Sequence, residues 1–130
     1  MLQLQLNPKP ESNFINFEFN DTNGQLKLMT VEGETMEPTL PRGAVAILKK
    51  IPPERMQEGL IYCIVENTII PTPNGEVKGK YITFGRRQLK TRKGVWLIFD
   101  NKRYKKKFVY FDNILEVYLV IGYFKKIFPF

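Results

Sequence analysis

The sequence predicts one mainly β domain, a barrel-like arrangement of coiled sheets. Three observations carry that expectation. Short runs of β-branched and aromatic residues recur along the chain, Gly, Pro and Asn punctuate them, and no stretch holds the period of an amphipathic helix. A chain of 130 residues can bury one sizeable core but not two. Its 43% apolar and 25% charged residues are those of an ordinary globular domain, which sets aside disorder, collagen and coiled coil.

Residues 1–13, with Asn7, Pro8, Pro10 and Ser12, read as a flexible N-terminal arm, because prolines remove backbone donors and fix φ. The domain proper is then 14–130. Phe14, Ile15, Phe17 and Phe19 alternate in part, Asp21-Thr22-Asn23-Gly24 marks a turn, and Leu26, Leu28 and Val31 resume the apolar positions, as in a hairpin. A short apolar strand follows over 44–49, a single helical turn over 52–56 and a strand over 60–66. Pro71-Thr72-Pro73-Asn74-Gly75 is strong turn chemistry, since Asn-Gly tolerates the positive φ that tight hairpins require. Strands over 77–89, 95–99, 108–111 and 114–123 complete the chain. The aromatic and basic tail, 124–130, is expected to fold back on the domain or to pair with a second copy.

Two absences restrict the chemistry. There is no histidine, so Ser-His-Asp and Cys-His catalysis, HExxH metalloprotease sites and classical zinc fingers are excluded together. Any general base must be Lys, Asp, Glu or Tyr. The single cysteine, Cys63, lies in the apolar run 60–65 and reads as a small core residue. No cofactor or metal site is indicated. The longest apolar stretch, 117–124, is about 8 residues against the roughly 20 needed for a spanning helix, and the first ten residues lack a secretory signal. A cytoplasmic location without a membrane span is expected.

Lys and Arg number 20 against 13 acidic residues, a net +7, and the excess is concentrated. Between positions 85 and 107 lie Arg86, Arg87, Lys90, Arg92, Lys93, Lys102, Arg103, Lys105, Lys106 and Lys107, with Asp100 as the one acid. Such a block attracts polyanions, DNA or RNA foremost, and a nucleic-acid-binding β-barrel would add Tyr81, Phe84, Trp96 and Tyr104 as stacking surfaces. The plainer reading is a solvated turn, with Trp96 and Phe99 packed in the core.

The most specific segment is Val31-Glu32-Gly33-Glu34-Thr35-Met36-Glu37-Pro38-Thr39-Leu40-Pro41-Arg42-Gly43, followed by the strand Ala44-Val45-Ala46-Ile47-Leu48. It resembles the nucleophile motif of the LexA-like peptidase superfamily, which includes phage repressors and type I signal peptidases: Gly-Asp-Ser-Met-x-Pro-Thr-Leu, a Gly-Asp turn, then an apolar strand. Gly33, Met36, Pro38, Thr39, Leu40 and Gly43 match in register. Residues 52–62 and the pair Asp100-Asn101 extend the likeness over 28–123.

The resemblance implies a LexA/signal-peptidase-like coiled β-sheet and a Ser-Lys dyad, in which a neutral buried lysine deprotonates the serine. The turn around Gly33, Met36 and Pro38 would present backbone N–H groups to an oxyanion. At the nucleophile position stands Thr35, whose methyl stiffens χ1. Counting back from Asp100 to the family's lysine lands on Gly85, beside Arg86, a guanidinium that does not deprotonate and could only hold an anion. An alternative register would use Lys78 or Lys80. Ala44 replaces the family's aspartate after Gly43, and no Ala-Gly or Cys-Gly bond precedes Glu34. Glu34 and Glu37 read as solvent-facing turn residues. The expectation is a domain that has lost self-cleavage and regulates transcription in a phage, mobile element or stress response, as a homodimer or through a partner. A divergent peptidase pairing Thr35 with Lys78 or Lys80 is the alternative. The family's usual helix-turn-helix is not found in these residues, so sequence-specific DNA reading is expected to lie elsewhere.

Overall fold

The computed structural model describes residues 26–125 in full and the backbone of 3–6 and 14–16. The domain is mainly β, as expected. Among the described residues there are nine strands, β1 (Gln3–Leu6), β2 (Phe14–Asn16), β3 (Leu26–Thr30), β4 (Val45–Ile51), β5 (Ile61–Thr72), β6 (Gly75–Lys90), β7 (Gly94–Ile98), β8 (Lys107–Tyr110) and β9 (Ile114–Phe124). They join one antiparallel sheet in which β9 is the hub. One edge of β9 carries β4, while the other carries β5 along its first half and β1 at its end.

The sheet does not close, which corrects the barrel-like expectation. Strand β3 pairs only with β4 and β8 only with β7, so the two ends of the path β3-β4-β9-β5-β6-β7-β8 find no ladder partner among the described residues. Pairing also departs from the expected N-terminal hairpin. Residues 14–16 pair with β1, not with β3, and Gln3–Leu6, placed in the arm by its composition, lies against Gly122–Phe124 of β9. The remaining residues of 1–13 and the expected turn at 21–24 lie outside the described residues, as do 126–130 of the tail.

Burial follows position in the sheet. Residues 61–66 of β5 lie between β6 and β9 and are buried on both faces, whereas the rest of β5 pairs with β6 alone and is largely exposed. The β5–β6 hairpin therefore projects from the body, turning at Pro73-Asn74 with Gly75 at φ +118°. The hairpin falls where the Asn-Gly pair predicts it but one residue earlier in register, since Gly75 already pairs with Thr72 and takes a φ that would strain an L side chain. The single helical turn appears as Pro53–Arg55. The core gathers Met36, Leu40, Leu48, Ile61, Tyr62, Ile64, Leu97, Val109 and Val117, all nearly inaccessible to solvent. Cys63 lies among them, fully buried, and burial pushes its thiol up to about 12, so it is a packing residue with no thiolate to offer near neutral pH.

Candidate functional site

The motif segment is the loop between β3 and β4. Two backbone bonds close its neck: the Val31 N–H donates to the Ala44 carbonyl at 2.8 Å and the Gly43 N–H to the Val31 carbonyl at 2.7 Å. Gly43 takes φ +88°, which explains its place in the motif, while a methyl group on Gly33 would meet only open space. Within the loop Met36 and Leu40 are buried anchors, and the Glu37–Pro38 peptide is cis.

A polar network ties the loop to the segment after β7. The Asn101 N–H donates to the Thr35 carbonyl at 3.0 Å, its side-chain amide donates to the Glu34 carbonyl at 3.0 Å, and the Asp100 N–H points at the Met36 sulfur at 3.4 Å. Asp100 in turn holds a fork from Arg86, Nε to Oδ1 at 2.8 Å and Nη2 to Oδ2 at 3.0 Å, and accepts the Thr39 hydroxyl. Burial would raise the Asp100 pKa, but the hydrogen bonds from Arg86 and Thr39 and the guanidinium charge outweigh it and hold the carboxyl below its ordinary range. Arg86 does hold an anion, and that anion is the protein's own. Glu34 and Glu37 are bonded as well, Glu34 by the Tyr104 hydroxyl and Glu37 by the Arg42 N–H, so neither is a freely solvated turn residue.

Thr35 lies where the loop reaches across to β6. Its hydroxyl donates to the Phe84 carbonyl at 3.1 Å. Strand β6 is four strands away from β3 along the sheet, so this bond records that the open sheet curls back on itself. A groove of about 570 Å³ runs along the unclosed seam, walled by Leu28–Val31 on one side and Tyr81–Phe84 on the other, with Gly33 and Thr35 at its end.

The candidate lysines are not brought to Thr35. Lys80 and Lys78 pair opposite Asn67 and Ile69 in the projecting, exposed half of the hairpin, roughly 13 and 20 Å along β6 from Phe84 at strand spacing. Gly85 is adjacent to Phe84 but is a packing position: a methyl group there would meet the Phe99 ring at 3.1 Å and Leu97 at 3.2 Å. Lys107, absent from the candidate dyad, is the lysine delivered to this stretch of β6. Its ammonium donates to Glu66 at 2.7 Å and to Thr83 at 3.3 Å and lies 4.4 Å over the Tyr81 ring, so its charge is committed. Sequence spacing could not find it, because β8 reaches β6 only through β7 and the curl of the sheet.

The basic block is dispersed by the fold. Arg86 and Lys107 are in ion pairs, Arg87 is half-buried in β6, and Lys90, Arg92, Lys93, Lys102, Arg103, Lys105 and Lys106 are exposed. Of the four aromatics proposed as stacking surfaces, Phe84 is buried and Tyr104 is bonded to Glu34, while Tyr81 lies under Lys107. Trp96 is not the core residue that its strand context implied; it faces outward beside Phe108, while Phe99 is buried as expected. Among the described residues no cluster of acidic and cysteine groups could hold a metal ion, and no helix is long and apolar enough to cross a membrane.

No protein-family model matches this chain, and comparisons with curated proteins and with solved structures find no match.

Proposed function

We propose that the chain is a LexA-like domain without peptidase activity, a regulatory module that acts through self-association or by holding a partner segment. The observation that carries this reading is the Thr35 hydroxyl, donated to the Phe84 carbonyl while both candidate lysines lie far out on the hairpin. A nucleophile needs a neutral base within hydrogen-bond reach of its proton. Here a backbone carbonyl takes that place, and a carbonyl accepts a hydrogen bond without removing the proton. The retained motif residues serve construction instead: Met36 and Leu40 fill the core, Gly43 turns the chain, and Thr39 completes the Asp100 network. The groove along the seam, walled by strand backbone and partly apolar, suits an extended segment better than a compact ligand.

The test is intact-mass spectrometry after prolonged incubation at alkaline pH, where a Ser-Lys type base would be most nearly neutral. The wild-type chain is expected to keep its full mass, as are Thr35→Ala and the double variant Lys78→Ala/Lys80→Ala. A fragment that forms in the wild type and disappears in Thr35→Ala would overturn the proposal. Sedimentation over a hundredfold concentration range reads the self-association arm.

A further inference from the structure

The outer face of the β7–β8 hairpin carries three aromatic rings, Trp96 and Phe108 half-buried and Tyr110 exposed. Pairing sets Trp96 opposite Phe108 and Gly94 opposite Tyr110, and Val95, Leu97 and Val109 are buried, so strand alternation turns Trp96, Phe108 and Tyr110 to the other face. Phe108 packs T-shaped against both neighbours, 5.1 Å from Trp96 and 4.8 Å from Tyr110 between ring centres. Gly94 makes room for this: a methyl group on it would lie 2.8 Å from the Phe108 ring and 2.1 Å from the Val109 carbonyl oxygen. Tyr110 is 52% exposed. With Thr91, Arg92 and Lys93 the rings line an open depression of about 600 Å³. The Lys106 ammonium lies 4.7 Å over the Trp96 ring. Arg92, Lys93 and Lys106 have no ion-pair partner among the described residues, unlike Arg86 and Lys107 of the same block.

We infer that this face binds single-stranded nucleic acid, with a base stacking on Tyr110 beside the Lys106-covered Trp96 ring and phosphates held by Arg92, Lys93 and Lys106. Unneutralised cations call for a polyanion, and the exposed Tyr110 ring calls for a flat partner. An acidic peptide meets the first demand and not the second. A duplex keeps its base faces stacked inside, whereas a single strand offers both charge and faces at the spacing of successive nucleotides. The other basic cleft, where Lys27, Lys49, Lys50 and Arg55 gather, lacks this combination: Lys50 is paired with Glu116 and Tyr118 is buried. The inference is independent of the Thr35 reading, since the face lies on β7 and β8 and shares no residue with the groove.

Trp96 is the single tryptophan of the chain, so its fluorescence reports on the site. The full chain is titrated with short dT and rU oligonucleotides, a duplex of equal length, and poly-glutamate. Either single strand is expected to quench Trp96, and the preferred sugar tells DNA from RNA. The slope of log affinity against log salt should be about −2, as for three phosphates contacted on a single strand. Tyr110→Ala should weaken binding roughly fivefold or more, with an unchanged melting temperature showing that the hairpin is intact. Absence of binding, binding without a change in Trp96 fluorescence, wild-type affinity in Tyr110→Ala, or equal competition by duplex or poly-glutamate would each overturn the inference.

Discussion

The loop at Thr35 and the face at Trp96 both draw on the stretch between Gly85 and Tyr110, and they use their polar groups in opposite ways. At the loop, Arg86, Asp100, Asn101, Thr35 and Thr39 satisfy one another across strands distant in the chain. On the hairpin face, Arg92, Lys93, Lys106 and the Tyr110 ring stay open to solvent, with Trp96 and Phe108 half-buried beside them. A self-satisfied network contributes to stability and has little left to give a ligand, whereas unpaired charge contributes little to stability and remains available for binding. The motif region should therefore respond to mutation in folding, and the hairpin face in binding.

The largest effect is expected at Gly85. Gly85→Lys, which installs the lysine that a Ser-Lys dyad would need there, would set an ammonium stem against Phe99 and Leu97 and should destabilise the domain by more than about 3 kcal/mol in urea titration, with no cleavage in mass spectra. A folded, self-cleaving Gly85→Lys/Thr35→Ser variant would break the comparison. Asp100→Asn comes next, at about 2 kcal/mol near neutral pH, because it leaves the Arg86 guanidinium without its ionic partner. The sign of its pH dependence follows from the lowered pKa: the contribution of Asp100 is complete above its unfolded value of about 4 and is lost as pH falls through the lower folded value. Wild type should thus lose stability below about pH 4 relative to Asp100→Asn, and parallel acid profiles of the two would refute this. Thr35→Val keeps the shape but drops the hydroxyl, leaving the Phe84 carbonyl short of a donor, and should cost about 1 kcal/mol. Smallest is Tyr110→Ala, expected within about 0.5 kcal/mol by thermal melting, since the ring is already half in solvent. A loss as large as that of Asp100→Asn would mean that the hairpin face is structural after all.

Much of the fold was legible. Alternation and punctuation place β4 and β6 to β9 within two residues, Asn74-Gly75 marks the hairpin and Pro52-Pro53 announces the short helical turn, but β5 runs six residues past its expected end, to Thr72. Strand partners were less so. Proximity in sequence pairs the run at 14–16 with β3, but β2 pairs with β1, whose residues the nearby prolines and polar neighbours assign to an arm. At the site, Thr35 and its motif stood out, while Lys107 and Glu66 did not, because their meeting depends on β6, β7 and β8 lying side by side. Trp96 and Phe99 look alike in a strand pattern and differ by face: three residues apart, they end on opposite sides of the sheet.

The sequence by itself determined the strand-rich architecture, the exclusion of histidine chemistry, the basic excess and the identity of each motif residue, because these rest on composition and local spacing alone. Only the tertiary structure decided that the sheet stays open, that Arg86 spends its charge on Asp100, and that the Thr35 proton is offered to a carbonyl. Those outcomes depend on which residues meet across forty-nine positions or across four strands. Distances of that kind are set by the curl of the whole sheet and leave no mark on the local pattern.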